Sequence, residues 1–385
     1  MNPLMAEVRA IQRSQKPFLD LTESNPTRCA FHFPGKDTLA ALAKKENLAY
    51  APHPLGLLRA REAVCAYYQG RQVLVEADRV VLTASTSEAY SFLFRLLADP
   101  GDRILVPKPS YPLLVYLAQL NDLEMDFYPL IYHRGWGMDL NQLRQAIRPQ
   151  TKAVILVHPN NPTGSFVKRH ELEVIIPLAK QKSIALICDE VFWDYKFESS
   201  REPASSLASN KEALTFVLGG LSKSLCLPQM KLSWIVASGP EELVRLAMER
   251  LEVIADTYLS VNTPSQNALL EWLALLPEIQ VSIQSRLEEN REFLTQSLRA
   301  HPRVQLLDCE AGWYHILKLP RTLKEEDWAL NFLREDQVLV HPGYFFDFAD
   351  EPYAVLSLLT PEDIFAEGLD RILKRIAAVA RNRDE

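Results

Sequence analysis

The sequence predicts an α/β fold, with a mainly parallel sheet and helices on both faces in a large domain, joined to a smaller α+β unit. Two observations carry this. From about Tyr50 onward, apolar runs of about five residues alternate with amphipathic stretches of about a dozen, the spacing of β-α-β units. After about Gln266 that alternation gives way to a long helical stretch and shorter strands. The chain has 385 residues, 48% hydrophobic and 24% charged, which suits a soluble globular protein with room for two domains.

The predicted strands lie at 79–83, 103–106, 153–157, 184–188, 214–218 and 232–237. Each is a short, nearly continuous apolar run, the mark of a strand buried on both faces. Between them, 87–98, 110–119 and 168–181 carry apolar residues at helical spacing. Further on, a helix is expected over 267–299, strands at 304–307 and 314–319, and a final helix near 363–381.

Composition excludes several classes. The net charge is −7 and no basic stripe stands out, against a nucleic-acid binder. Cys29, Cys65, Cys188, Cys226 and Cys309 lack the paired spacing of a zinc site or a disulfide framework. No apolar run approaches the length of a membrane span, and residues 1–16 lack the apolar core of a signal peptide. A cytoplasmic protein is expected, without metal, membrane or nucleic acid.

In a parallel sheet, ligands bind beyond the carboxyl ends of the strands. The residues there form a coherent set. Ser85, Thr86 and Ser87 open a helix after the first strand, where backbone N–H groups, hydroxyls and the positive dipole end suit a phosphate. Plain N-capping by Ser85 or Ser87 is the competing reading. Tyr111 follows the second strand, either stacked on a planar ligand or simply packed at a helix start. Asn161 lies in the rigid His158-Pro159-Asn160-Asn161-Pro162-Thr163-Gly164 turn. Asp189 ends a wholly apolar strand, where a carboxylate calls for a cationic or hydrogen-bonding partner. Lys223, in Gly219-Gly220-Leu221-Ser222-Lys223-Ser224, follows the next strand; burial there would favour the neutral, nucleophilic amine. A planar aromatic aldehyde with a phosphate arm and a protonatable ring nitrogen satisfies all of them at once. That describes pyridoxal 5'-phosphate (PLP).

With Asn-Pro-Thr-Gly at 161–164, Asp-Glu about 28 residues later and Ser-Lys about 33 after that, the chain resembles the class I/II aminotransferases, over about residues 21–360. The resemblance implies PLP fold type I of the aspartate aminotransferase kind: a mainly parallel, seven-stranded large domain over 46–270, and a small domain from 1–45 plus 271–385. It implies PLP-dependent transamination by ping-pong exchange between an amino acid and a 2-oxo acid. Lys223 would form the Schiff base and shuttle protons, and Asp189 would pair with the ring nitrogen. Asn161 would bind the ring phenolate oxygen and Tyr111 would stack on the ring. Ser85, Thr86, Ser87, Ser222 and Lys231 would hold the phosphate. Tyr50 would reach the phosphate of a neighbouring subunit, which requires a homodimer with shared active sites.

The sequence departs from the family at four points. Phe192 replaces a tyrosine that would donate to the phenolate oxygen, so the Schiff base is expected to titrate higher. Gln229 and Ser233 replace glycines, and Lys231 stands where most relatives have arginine, a point charge instead of a fork. Val355 occupies the place of the arginine that clamps the substrate α-carboxylate. Arg28, on a segment that lines the pocket in relatives, is either the substitute anchor or a surface arginine. Aromatics of the 341–346 loop either line an apolar side-chain pocket or pack the core. The missing arginine keeps a second reading open, a C–S β-lyase or decarboxylase on the same scaffold; a non-catalytic PLP-binding regulatory domain is a third.

Overall fold

The structure is a computed structural model that describes residues 2–31, 33–198, 205–349 and 352–384. Its centre is an eight-stranded sheet built from β1 (Val80–Thr83), β2 (Arg103–Lys108), β3 (Glu124–Tyr132), β4 (Trp136–Met138), β5 (Thr151–Val157), β6 (Ala185–Asp189), β7 (Thr215–Gly220) and β8 (Ser233–Ser238). The spatial order is β1-β8-β7-β6-β5-β2-β3-β4. Neighbours from β7 through β3 run parallel, whereas β8 is antiparallel to both β1 and β7. The carboxyl ends of β1, β2, β5, β6 and β7 therefore share one edge. The start of β8 shares it too, which brings Lys231 to the same side as Lys223.

The central strands are apolar on both faces because both are covered. Leu186 and Cys188 of β6 enter a core shared with the small sheet, and Ala185 and Ile187 enter a second core under α1 (Thr86–Leu97) and α3 (Glu241–Tyr258). The period of two sends Asp189 to the α1 side.

Two expectations need correction. The sheet has eight strands where seven were expected: β3 turns at Arg134 and Gly135, both with positive φ, and β4 pairs back on it through Tyr132↔Trp136 and Leu130↔Met138. The predicted helix over 267–299 is two helices, α4 (Thr263–Ala274) and α5 (Leu276–Leu298). Pro277 sits in the first turn of α5, where its missing N–H costs nothing; inside one continuous helix it would remove a hydrogen bond.

Beyond α5, a four-stranded antiparallel sheet is made by β9 (Gln305–Leu306), β10 (Tyr314–Lys318), β11 (His341–Pro342) and β12 (Tyr353–Ser357), in the order β9-β10-β12-β11. A two-residue parallel pairing, Leu19–Asp20 against Val338–Leu339, ties the N-terminal segment to it. The last helix, Glu362–Asp384, packs on α5.

Candidate active site

The chain reverses into the site by close backbone approach. A Cβ on Gly219 would meet the Trp234 ring at 2.5 Å, and one on Gly220 would meet Ser233 Oγ at 2.3 Å. Only glycine lets β7 lie this close to β8 before the one-turn helix Leu221–Ser224. That turn presents Lys223. Its carbonyl accepts a hydrogen bond from Tyr195 Oη (2.6 Å), which pins the lysine backbone.

The Lys223 amine lies 4.6 Å from the centre of the Trp313 ring and 5.4 Å from that of Phe192. Burial lowers its pKa below the ordinary lysine value, against an opposing pull from Cys226 and Asp189. A larger share of the amine is therefore neutral than on a surface lysine.

Asp189 ends β6 between Val157 and Leu218. Burial raises its pKa, while the Val191 N–H (3.1 Å to Oδ1), the Tyr90 hydroxyl (3.0 Å to Oδ2) and the charge of Lys223 work to lower it. Tyr90 comes from α1, on the face of the sheet to which the strand alternation sends the carboxylate. The carboxylate is thus oriented on both oxygens.

Asn161 follows β5, next to a turn held by Asn160, whose amide donates to Pro109 O (3.2 Å) and Thr163 Oγ1 (2.9 Å). The Asn161 amide makes no hydrogen bond to the described residues, and its Oδ1 is buried. Such a group asks for a partner that is not protein. Tyr111 is 47% exposed, and the charge of Asp189 adds to burial in raising its pKa, so its ring stands near that carboxylate.

The expected phosphate cup is built differently for each of its members. Ser85 is the N-cap of α1: its Oγ accepts from the Glu88 N–H (3.1 Å), and Glu88 Oε2 accepts from the Ala84 N–H (2.6 Å). The capping reading therefore holds for Ser85, with its hydroxyl proton left to donate. Thr86 and Ser87 open the helix, where backbone N–H groups have no partner within it. Ser222 is half-buried beside Lys223, and Lys231 is exposed, in a left-handed turn before β8. Tyr50 is 79% exposed on the 50–56 segment, alongside Leu259, Ser260 and Gln266.

These residues fit a PLP-shaped group: a buried carboxylate, an unpartnered amide, a desolvated amine, a half-exposed ring and a helix N-terminus on one sheet edge. Two contributors escaped sequence reasoning. Tyr90 lies among the apolar residues of α1 and reads as core. Trp313 lies in no motif; only the approach of the small sheet sets it against Lys223.

The far wall is different in character. Val355 is fully buried in β12, opposite Ile316 on one side and His341 on the other. Phe346 contacts both Tyr314 and His341, and its carbonyl accepts from the Ser110 N–H (3.1 Å). Arg28 projects with 74% of its side chain exposed, 3.9 Å from Glu23.

Comparison with known proteins agrees with this arrangement. A family model described as "Aminotransferase class I and II" matches residues 16–364. The tyrosine aminotransferase of Mus musculus is 28% identical over 340 residues, covering 86% of this chain and 74% of that protein. The glutamate-pyruvate aminotransferase AlaA of Escherichia coli is 25% identical, covering 94% and 91%. Among solved structures, an alanine aminotransferase from Pyrococcus furiosus superposes with a TM-score of 0.88 at 26% identity, over 97% of this chain and 96% of that one.

Proposed function

The chain belongs to the class I and II aminotransferases, PLP-dependent enzymes that move an amino group from an amino acid to a 2-oxo acid by ping-pong exchange, and on that premise we propose how its residues divide the work. Bound PLP supplies an electron sink for the pair left when the substrate α-carbon loses its proton. Lys223 would hold the cofactor through its amine and would be the base that takes that proton. Its burial between Trp313 and Phe192 is the observation that carries the assignment, because it disfavours the charged form of the amine.

Asp189, with Tyr90 and Val191 on its two oxygens, holds the ring nitrogen protonated. Asn161 would bind the phenolate oxygen, and Tyr111 would cover one ring face. The amide groups of Thr86 and Ser87, the hydroxyls of Ser85 and Ser222, and Lys231 hold the phosphate. Trp313 and Phe192 keep water from the amine.

Residues 46–270 act as the cofactor domain, and 1–45 with 271–385 as the smaller substrate domain. We take the enzyme to be a cytoplasmic homodimer in which Tyr50 completes the partner's site. Its 79% exposure, beside Leu48 at 91%, supports a surface covered by a second copy. The five cysteines are free thiols, the state a reducing compartment maintains. No helix among the described residues is long and apolar enough to cross a membrane.

The substrate is a small amino acid whose carboxylate is not clamped at position 355. Arg28 is the proposed substitute anchor, since its guanidinium is mostly exposed and only 3.9 Å from one acid. A panel of amino donors, with and without an α-carboxylate, added to the PLP-loaded enzyme in the absence of 2-oxo acid tests this. Amino acids should convert the cofactor to its amine form and yield an oxo acid without ammonia. Release of ammonia with pyruvate would mark a lyase instead. Equal rates with donors lacking the carboxylate would remove any need for an anchor.

A further inference from the structure

A second cleft lies outside the Lys223 site. It encloses about 680 Å³ between the large sheet and the small one, a volume within the ~300–1,000 Å³ range of small-molecule pockets. The β3–β4 turn and the start of α2 (Arg169–Lys182) form one wall, and α5 with β9 and β10 forms the other.

We propose that this cleft is a binding site for a small organic anion, a carboxylate on an apolar body. Three permanent cations line it (Arg134, Lys168 and Arg291) against two carboxylates (Asp308 and Glu310), which leaves one positive charge in excess. Lys168 and Glu310 are already an ion pair, so the surplus falls on the arginine side. Arg134 is exposed at the tip of the turn and has no ion-pair partner among the described residues. Arg291 is held by its packing over the Phe197 ring, 4.7 Å from its centre.

His315 supplies the independent sign of a ligand. It lines the cleft from β10, is only 3% exposed, and its Nδ1 is buried with no hydrogen-bond partner. Burial and the neighbouring Arg291 charge lower its pKa to about 3, so the ring is neutral, with one nitrogen to donate and the other to accept. With the ring proton on Nδ1, one carboxylate answers both the surplus charge and the unpartnered nitrogen. The partly exposed Leu306, backed by the nearly buried Trp136 and Leu307, gives the cleft an apolar side that a compact inorganic ion would leave unused.

The site is joined to the Lys223 region by the segment between β9 and β10. Glu310 accepts from the Phe166 N–H (3.1 Å) and donates its own N–H to Gly164 O (3.3 Å), on the turn that carries Asn161. Three residues further on is Trp313, against the Lys223 amine.

The test is calorimetric titration of the PLP-loaded enzyme with benzoate, benzyl alcohol and inorganic phosphate, at saturating amino-acid donor. Benzoate should bind, with benzyl alcohol and phosphate each at least about tenfold weaker. Arg134→Ala should weaken benzoate about tenfold, Arg134→Lys less, and His315→Leu about fivefold. Transamination turnover of each variant serves as the check on folding, since neither residue touches the Lys223 site. Absence of benzoate binding, displacement by the donor, equal affinity in both variants, or tighter binding of phosphate or benzyl alcohol would each overturn the proposal.

Discussion

The sheet edge around Lys223 and the wall around Val355 meet at Trp313 and at the Ser110–Phe346 hydrogen bond, yet they hold polarity in opposite ways. At the edge, Asp189 is oriented on both oxygens and Lys223 is fixed through its own carbonyl. At the wall, Val355, Ile316 and Phe346 are buried and apolar, and the polar group among them is His341, whose Nδ1 has no partner. The contrast separates chemistry from clientele. A buried charge needs a scaffold that satisfies it, so the edge admits little change; an apolar wall can be re-cut by single substitutions without leaving a charge unpaired.

The most severe way to break the edge is Lys223→Ala. On the proposed assignment it removes both the covalent attachment and the base, so kcat should fall by at least ~10³-fold, measured as the single-turnover rate of donor conversion. Asp189→Asn keeps the shape and loses the charge; a drop of about 10²-fold is expected in the same assay. If that variant kept full rate, the carboxylate would be structural.

The wall should respond through binding instead. Arg28→Ala should raise KM for the best amino-acid donor about tenfold with kcat nearly unchanged, the signature of lost uniform binding. An unchanged KM would sink Arg28 as the anchor and leave the wall without a cation.

Phe192→Tyr probes the boundary between the two regions. Phe192 is 4% exposed and packs edge-on against Trp313, 5.2 Å between ring centres. A hydroxyl there should lower the pH midpoint of the loaded enzyme's visible absorption band by about one unit, the worth of one hydrogen bond to a charged oxygen.

The smallest expected effect concerns stability. His315 is buried with its pKa lowered to about 3, so the unfolded chain binds the proton first as pH falls. Its contribution is fully present above the unfolded value near ~6.5 and is lost as pH drops toward the folded one. Denaturant titration of wild type and His315→Leu should show the wild type losing up to about 1.4 kcal/mol more per pH unit between pH ~6.5 and ~5.

Much of the edge was legible because strands buried on both faces write themselves as apolar runs, and the polar residue after each run marks the ligand side. Asp189, Lys223 and Asn161 stand where such runs end. What escaped depends on approach or on solvent. β3 alternates, with Asp126, Tyr128 and Leu130 buried and Phe127 and Ile131 outward, so it lacks a continuous run. The helix break at Pro277 is visible only if proline is weighed above periodicity. Ser85 offered two uses for one hydroxyl; the geometry shows the cap on its acceptor side and leaves its proton to donate. Tyr90 and Trp313 look like core residues until tertiary packing sets them beside Asp189 and Lys223.

The central claim is that Lys223 is the lysine to which the cofactor attaches. Borohydride reduction of the PLP-loaded enzyme, followed by peptide mapping, measures this directly. The reduced cofactor should be found on the peptide containing Gly219 to Ser224, attached to Lys223 and lost in Lys223→Ala. Stoichiometric labelling of any other lysine, Lys231 included, would contradict it.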